Sequence, residues 1–264
     1  MSYFSANGIT AGYGQQPVIE NISFHLQAGC LMGIIGANGS GKTTLLKALC
    51  GILPHQGVCT LNDTVLETLS AKQIARLISY IPQRSGVSID ISVQDVVLMG
   101  FNPRLGLLEH PTRQMKEAAL QSLSQVGLNS KAEMNYLHLS EGQKQLCILA
   151  RTLVSDSKLL LLDEPESALD FRFRYRMLSI LRKWIASGKR SAVVALHDPS
   201  LALNFCDQLL LLDGSSVLGV LNPRTDSLKE MECMLCKIYG DISLQWCLNR
   251  KGECQIVILR EDEE

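Results

Sequence analysis

The residues with the clearest chemical potential lie in one glycine-rich stretch, GANGSGKT, from Gly36 to Thr43. It follows the apolar run CLMGII and precedes TTLLKALCGIL, whose spacing is typical of a helix ending near Gly51 and Pro54. The pattern G-x-x-x-x-G-K-T between a strand and a helix is that of a phosphate-binding loop. In such a loop, successive backbone N–H groups surround phosphate oxygens at the positive end of the helix. The stretch therefore predicts a nucleotide phosphate site.

Two kinds of side chain complete that chemistry. Lys42 reaches the terminal phosphates, and the Thr43 hydroxyl can ligate Mg²⁺. The apolar run LLLLDEP ends in two carboxylates, and ligands of open α/β sheets bind at the carboxyl ends of strands. Asp163 is then placed to hold Mg²⁺ through water, and Glu164 to act as a general base, which contributes about 10²- to 10⁴-fold in rate. Two acids after a strand are also typical of a solvated turn, but the upstream phosphate loop favours the metal and base roles.

Three further residues gain a role only beside these. His197 follows the apolar run SAVVAL, where a lone histidine is usually structural. If that strand lies next to the strand ending at Asp163, His197 can reach the γ-phosphate. Gln83 ends the strand-like run LISYIPQ and can ligate Mg²⁺ or the attacking water. Tyr13, in the polar segment ITAGYGQQPV, either stacks on a base or is a surface turn residue.

A second helix start stands far from the phosphate loop, in LSEGQKQL, residues 139–146. Ser140 is a suitable N-cap, and Gly142 allows a ligand to approach the backbone. No nucleophile, base or metal-binding cluster accompanies it. Because a helix N-terminus binds anions and none is supplied locally, the pattern suggests an anion held by another chain.

Composition limits the alternatives. The chain has 264 residues, 46% of them hydrophobic, which suits one large α/β domain or two small ones. A net charge of −1 gives no overall basic field for nucleic acid. Its apolar runs, such as LMGIIG and QLLLLDG, predict buried parallel strands and are shorter than the roughly 18 residues that span a bilayer. The start, MSYFSANG, does not match a signal peptide, so we expect a cytoplasmic location.

Nine cysteines are spread along the chain and are expected to be reduced. Cys233 and Cys236 form a C-x-x-C pair, which with Cys247 and Cys254 is compatible with a metal site. The alternative is that SLKEMECMLCKIYG is an amphipathic helix whose cysteines pack as small apolar residues. The sequence favours the helix and leaves the metal site open.

GANGSGKT, YIPQ, LSEGQ, LLLLDEP, SALD and ALHD, in this order, resemble the motifs of ATP-binding-cassette (ABC) ATPases. The resemblance covers about residues 3–258, and LSEGQ upstream of LLLLDEP is its most specific part. It implies an α/β fold with a P-loop NTPase (RecA-like) core, an N-terminal antiparallel β subdomain and an inserted α-helical subdomain. Residues 1–264 would form one domain. The core and β subdomain would comprise 1–83 and 156–264, and the helical signature subdomain 84–155.

In that family two cassettes pair head to tail, with each ATP between one phosphate loop and the partner's signature helix. By position, the implied catalytic residues are Glu164, His197 and Gln83, and Gln83 would also couple the site to a transporter. The implied ligands of Mg²⁺ are Thr43, Gln83 and Asp163. The implied ATP-binding residues, with Tyr13 stacking on adenine and Asp170 acting across the dimer, are Tyr13, Gly36, Asn38, Gly39, Ser40, Gly41, Lys42, Thr43, Thr44, Ser140, Gly142, Gln143 and Asp170.

The signature departs from the family consensus L-S-G-G-Q at its third residue, Glu141. A carboxylate pointing towards a γ-phosphate would repel it. At a helix start the side chain can instead point to solvent, where it interacts favourably with the positive end of the helix dipole. We expect this solvent-facing orientation.

LSAKQIARLISYIPQ and SVQDVVLMGFNPRLGLL resemble one branch of the family, the ATPases of importers for iron–siderophore, haem and cobalamin. That implies Mg²⁺-dependent ATP hydrolysis at the cytoplasmic face of the membrane by a homodimer bound to permease subunits, indirectly served by a substrate-binding protein. Residues 84–108, including Val97 and Leu107, would form the groove for the permease. The alternative is a cassette outside transport, for example a scaffold in iron–sulfur assembly. A P-loop small-molecule kinase is disfavoured by the signature.

Overall fold

A computed structural model of the chain describes residues 3–14, 16–83, 86–106, 108–167, 169–186 and 188–260. Its strands, numbered along the chain, are β1 Phe4–Tyr13, β2 Gln16–Leu26, β3 Leu31–Gly36, β4 His55–Leu61, β5 Thr64–Val65, β6 Ile78–Ile81, β7 Leu159–Asp163, β8 Ser191–Ala195, β9 Gln208–Asp213, β10 Ser216–Leu221, β11 Ile242–Leu248 and β12 Cys254–Arg260. Its α-helices are α1 Lys42–Leu49, α2 Ala71–Leu77, α3 Val93–Leu98, α4 Arg113–Val126, α5 Glu141–Leu153, α6 Phe171–Ala186, α7 Pro199–Phe205 and α8 Leu228–Tyr239.

The central sheet has six strands in the order β10-β9-β3-β8-β7-β6. All neighbouring pairs are parallel except β10 with β9. The apolar runs of the sequence form its middle strands, which are buried on both faces, as expected of a parallel sheet covered by helices. Because β3, β8, β7 and β6 are consecutive in the sheet and parallel, the residues that follow them meet at one edge.

The second sheet is antiparallel and comes from the N-terminal part of the chain, in the order β2-β1-β4-β5. Its apolar face packs with α1 and with the residues of the central strands that face it, in one buried cluster that includes Ile19, Leu45 and Met32. This packing holds the loop between β3 and α1 against the N-terminal sheet. The α/β fold class, with a P-loop core, antiparallel β sheet and added helices, is confirmed.

Three helices between β6 and β7 pack on one another. α4 begins after the Thr112 cap and ends at Gly127, whose φ of 77° is the left-handed conformation that favours glycine. In α3, Val97 is fully buried in the core shared with α4 and α5. The expectation that Val97 lies in an open groove is therefore wrong, because the apolar face of α3 turns inwards. Leu107, the other expected groove residue, lies outside the described residues.

The chain continues from the central sheet into α8 and the hairpin of β11 and β12. α8 occupies most of SLKEMECMLCKIYG and begins with a capping box between Ser227 and Glu230, so the predicted amphipathic helix is confirmed. Met231 and Leu235 lie on its buried face. Among the described residues, no helix is both long enough and apolar enough to span a bilayer.

Candidate nucleotide-binding site

The loop between β3 and α1 has the form of an anion cradle. Gly41 precedes α1 with φ 88°, and a Cβ there would lie 2.3 Å from Cγ2 of Ile19, so only glycine fits. Within the described ranges no side chain caps the start of α1, which leaves its N–H groups to an incoming ligand. The Ser40 hydroxyl is buried and has no hydrogen-bond partner among the described residues. These unsatisfied donors fit a phosphate group.

A cleft of about 220 Å³ lies directly over this cradle. It brings together most of the predicted phosphate-binding residues and the predicted base. Its lining residues are Val18, Asn38, Gly39, Ser40, Gly41, Lys42, Thr43, Thr44 and Glu164.

Lys42 is almost fully buried beside the cradle, and its ammonium donates hydrogen bonds to the carbonyl oxygens of Gly36 at 2.9 Å and Ala37 at 3.1 Å. Burial lowers the pKa of Lys42, although the nearby carboxylates of Glu164 and Asp163 act in the opposite direction. A phosphate in the cleft would add negative charge and favour the protonated amine. The residue is thus a buried cation prepared for an anionic ligand.

The end of β7 supplies the oxygen atoms that Mg²⁺ prefers. Asp163 accepts a hydrogen bond from the Thr43 hydroxyl at 2.9 Å through Oδ1 and one from the Tyr80 hydroxyl at 3.0 Å through Oδ2. Burial raises the pKa of Asp163, and these two hydrogen bonds oppose the rise. The carboxylate and the Thr43 hydroxyl therefore lie where an ion next to bound phosphate would need them, which fits Mg²⁺.

Glu164 is held by the two other predicted catalytic residues. Its Oε2 accepts a hydrogen bond from Gln83 Nε2 at 2.7 Å, and His197 Nε2 lies 2.6 Å from the same oxygen. β8 pairs with β7, as predicted, which is why His197 reaches this position. Glu164 has φ 46°, a left-handed conformation that is uncommon for residues other than glycine. Such strain tends to occur at functional sites.

Glu166 is a member of this cluster that the sequence analysis missed. Its Oε1 accepts a hydrogen bond from the backbone N–H of His197 at 3.0 Å, while its buried Oε2 has no partner among the described residues. Burial raises the pKa of Glu166, with only partial compensation from the His197 N–H. The signal was present as the third carboxylate in DEPE. Tyr80, in the quoted run YIPQ, was missed in the same way.

Tyr13 lies at an exposed turn at the end of β1, with 56% of its surface accessible. The Lys47 ammonium lies 5.9 Å from the centre of its ring. Since Lys47 belongs to α1, Tyr13 stands close to the helix that begins at the phosphate loop. A wide cleft of about 640 Å³ adjoins its ring. This position is compatible with a stacked base. It is equally compatible with the other expectation, that Tyr13 is a surface turn residue.

The signature residues lie apart from this cleft in the single chain. Ser140 and Gln143 form a reciprocal capping box at the start of α5, with distances of 3.3 and 3.2 Å. The Glu141 side chain is 74% exposed and pairs with Lys144 at 2.8 Å, so it points to solvent as expected. Asp170 is exposed and accepts a hydrogen bond from the N–H of Phe173 at the start of α6. None of the predicted residues Ser140, Gly142, Gln143 and Asp170 is among those lining the phosphate cleft.

The C-terminal cysteines do not gather. Cys233, Cys247 and Cys254 are exposed and Cys236 is half-buried. The expectation that the cysteines of SLKEMECMLCKIYG pack as small apolar residues is therefore wrong for Cys233. The reason in α8 is that its buried face passes through Met231 and Leu235, which leaves Cys233 on the other side. In the described ranges, none of the four belongs to a group of three or more metal-binding side chains.

A parallel sheet with a phosphate loop after one strand and an acidic pair after another defines a P-loop ATPase. The family model of the ABC transporter matches residues 19–167, and the chain belongs to this family. Its members' ATP-binding chains hydrolyse ATP, and this chain is an ATPase of that kind.

Curated relatives match across most of their own length. The hemin import ATP-binding protein of Bordetella pertussis is 38% identical over 233 residues, which covers 84% of this chain and 87% of the relative. The manganese transport system ATP-binding protein of Listeria monocytogenes is 37% identical over 209 residues, covering 78% and 85%.

Solved structures agree with the fold. One, assigned to the metal-chelate type of ABC transporter and captured facing inwards, superposes with a TM-score of 0.82 at 26% identity, covering 99% of both chains. A dimeric ATP-binding cassette in a post-hydrolysis state with ADP and Pi superposes with a TM-score of 0.75 at 21% identity, covering 84% of this chain and 100% of the other.

Proposed function

We propose that this chain is the ATP-hydrolysing subunit of an importer for a metal chelate of the iron–siderophore, haem or cobalamin class. Support for import comes from the relatives named for hemin import and manganese transport, and from the metal-chelate type structure. The runs LSAKQIARLISYIPQ and SVQDVVLMGFNPRLGLL favour the chelate class over a free metal ion. The chain would act on the cytoplasmic face of the membrane, bound to permease subunits and indirectly served by a substrate-binding protein.

The observation that carries the hydrolytic mechanism is the pair of contacts from Gln83 and His197 to one oxygen of Glu164. With ATP in the cradle, Glu164 orients the attacking water and accepts its proton, while Gln83 and His197 fix the carboxylate. Lys42 stabilises the terminal phosphates. Bound Mg²⁺ neutralises phosphate charge, and Thr43, Asp163 and Gln83 would hold it.

The signature residues enter this mechanism through a second copy of the chain. Since Ser140 and Gly142 lie outside the cleft of their own chain, we assign them to the γ-phosphate of the partner's ATP. Asp170 completes the site from the same side, and Tyr13 stacks on adenine. Residues 1–264 act as one ABC domain, in which 84–155 forms the helical signature part.

The experiment for hydrolysis is Glu164→Gln. The amide keeps the size of the side chain but removes the base, so we expect ATP binding to persist while turnover falls at least about 10²-fold, the lower range for loss of a general base. ATP binding and phosphate release are measured on the same preparation. Glu117→Gln, on the exposed surface of α4, is the matched control and keeps full turnover. Near wild-type turnover in Glu164→Gln would remove the assigned base.

The substrate class is tested separately, on the complex with its permease and binding protein in lipid vesicles. A loaded binding protein carrying ferric siderophore, haem or cobalamin should raise ATP hydrolysis and cargo uptake together. Free Mn²⁺ is the comparison. Stimulation by Mn²⁺ alone would overturn the chelate assignment while leaving the hydrolytic mechanism intact.

A further inference from the structure

Three side chains with metal-binding donor atoms meet on the N-terminal sheet. His55 and Cys59 belong to β4, and Glu67 lies in the 3₁₀ turn Leu66–Thr68. One donor atom from each lies within 4.8 Å of the other two. Over the described part of the chain this is the only such group of three or more His, Cys, Asp and Glu residues. None of the three lines the phosphate cleft, although His55 borders the wide cleft beside Tyr13. The nucleotide mechanism gives no role to Cys59 or Glu67.

The local fold brings the group together. His55 and Cys59 lie four residues apart on β4, on either side of Gly57, whose φ of 96° departs from extended backbone. The tight β4–β5 hairpin then returns the chain, so that the 3₁₀ turn lies beside β4. There the backbone N–H of Cys59 donates a hydrogen bond to Glu67 Oε1 at 2.8 Å, which fixes the carboxylate next to the thiol.

The orientation of His55 also suits a metal ligand. Its Nδ1 lies 3.4 Å from the carbonyl oxygen of Leu53, to which a protonated Nδ1 can donate. Its Nε2 lies 3.0 Å from Glu67 Oε1, a contact that a ring proton on Nε2 makes as a hydrogen bond. In the tautomer with the proton on Nδ1, the Nε2 lone pair can take a metal ion in place of that proton. Anchoring of the other ring nitrogen by a backbone carbonyl is typical of histidines that ligate metals.

We infer that His55, Cys59 and Glu67 form a site for a divalent transition-metal ion of the Zn²⁺ class, separate from the Mg²⁺ that accompanies ATP. Imidazole, thiolate and carboxylate together suit Zn²⁺ and Co²⁺, whereas Mg²⁺ prefers oxygen donors alone. Metal–donor lengths of about 2.0 to 2.3 Å require the donors to approach by roughly 1 Å. The ion displaces the thiol proton of Cys59, which goes to solvent, and a water takes the fourth position.

Burial in the group suits an ion that enters from solvent. Cys59 is fully buried, while His55 and Glu67 are partly exposed. The Cys59 sulfur is therefore protected from water, and His55 and Glu67 lie on the side of the site that faces solvent. The bound ion would fasten the 3₁₀ turn to β4 and raise the melting temperature of the chain.

Cobalt is the probe, because a Co²⁺–thiolate bond has its own charge-transfer absorption, which oxygen ligands do not produce. The protein carries serine in place of exposed or half-buried Cys233, Cys236, Cys247 and Cys254, and contains neither nucleotide nor Mg²⁺. We expect the band to saturate at one Co²⁺ per chain and to disappear when Zn²⁺ is added. Cys59→Ser should abolish it. Cys30→Ser, at a buried cysteine outside the group, should retain it.

Absence of the band in the parent, or its persistence in Cys59→Ser, overturns the site. Cys59→Ser alters the core, so Glu67→Gln is added as a milder variant. Its amide oxygen can still accept the hydrogen bond from the Cys59 N–H. It should bind Co²⁺ at least about tenfold more weakly in competition with a chelator, while remaining cooperatively folded in the absence of metal. It should also lose the rise in melting temperature that Zn²⁺ gives the parent. Affinity equal to that of the parent contradicts the three-ligand site.

Discussion

At the scale of single residues, Glu164 combines a left-handed backbone conformation with a carboxylate that two neighbouring side chains hold in place. A positive φ at a residue other than glycine costs on the order of 1 kcal/mol or more, and at Glu164 the value is 46°. The turn allows Glu164 to face the cleft while Asp163, its neighbour, faces Thr43. Two adjacent carboxylates thus reach different partners.

Glu166 leads to a prediction for the pH dependence of stability. Its pKa in the folded chain is raised above the ordinary value of about 4.3, so the folded state binds the proton more tightly than the unfolded state does. The free energy of unfolding therefore falls as pH rises from about 4.3 through the folded pKa. Glu166→Gln removes this titration but keeps an acceptor for the His197 N–H. The free energy of unfolding of the variant minus that of wild type, measured with urea, should therefore be more positive at pH 7 than at pH 4.

Asp156 supplies a control of opposite sign. Burial would raise the pKa of Asp156, but hydrogen bonds and charge from Arg104 and Arg190 outweigh it and lower the pKa. This interaction stabilises the fold above the ordinary pKa and is lost as pH falls through the lowered one. Asp156→Asn should therefore be less stable than wild type at pH 7, with the difference shrinking at acid pH. Equal slopes for the two variants would contradict the assignment for Glu166.

How far the site could be predicted follows from what fixes each residue. Gln83, Glu164 and His197 follow strands, and the order of parallel strands alone brings such positions to one edge. Glu166 was visible as the third carboxylate of DEPE and Tyr80 as part of YIPQ, but their places in the site depend on the left-handed turn at Glu164 and on side-chain contacts that the sequence does not specify. That Glu166 and Tyr80 belong to the site became visible only from their hydrogen bonds to the His197 N–H and to Asp163.

At the scale of elements, two helices with the same cap allow structure and function to be separated. α5 begins with the capping box of Ser140 and Gln143, and α8 with that of Ser227 and Glu230. Loss of either cap by substitution with alanine should reduce stability by about 1 kcal/mol. Only Ser140→Ala should also reduce ATP trapped in a Glu164→Gln background, because only that helix start is assigned to phosphate. Equal trapping in the two variants would assign Ser140 to capping alone.

The same scale shows where periodicity predicts well and where it does not. The sequence correctly indicated the helix start of α5 and the amphipathic helix α8, and each of these helices has one buried face. It did not show which helix α3 would pack against, so Val97 was expected at the surface and is buried. For short helices the direction of the apolar face is a property of the packed structure.

At the scale of the whole molecule, the groove proposed for the permease must be tested at exposed positions. Ile89 and Leu108 lie in the 84–108 segment with 51% and 88% of their surfaces accessible. Ile89→Asp and Leu108→Asp should weaken recovery of the chain with its permease in a detergent pull-down, because burying the new charge in the interface is unfavourable. Leu248→Asp, at an apolar residue of β11 with 72% of its surface accessible, is the control and should leave recovery unchanged. Intact complexes with both groove variants would move the permease contact elsewhere.

The proposed dimer can be tested by placing one lesion in each copy. A mixed dimer contains one Lys42→Ala chain and one Ser140→Arg chain, both with Glu164→Gln to prevent turnover. If the signature acts on the partner's ATP, one site keeps both Lys42 and Ser140, and the other carries both lesions. If it acts within its own chain, each site carries one lesion. Either mutant homodimer should fail to trap ATP in both cases, so the mixed dimer separates them.

We expect about one trapped ATP per mixed dimer, because the intact pair of phosphate loop and helix N-terminus is sufficient to hold the nucleotide. Trapped nucleotide is a better measurement than hydrolysis, since cooperation between the two sites can silence a single intact one. Dimer formation is confirmed independently by mass measurement in the presence of ATP. A confirmed mixed dimer without trapped ATP would contradict action in trans. The exposed start of α5, with its solvent-facing Glu141, would then need another ligand.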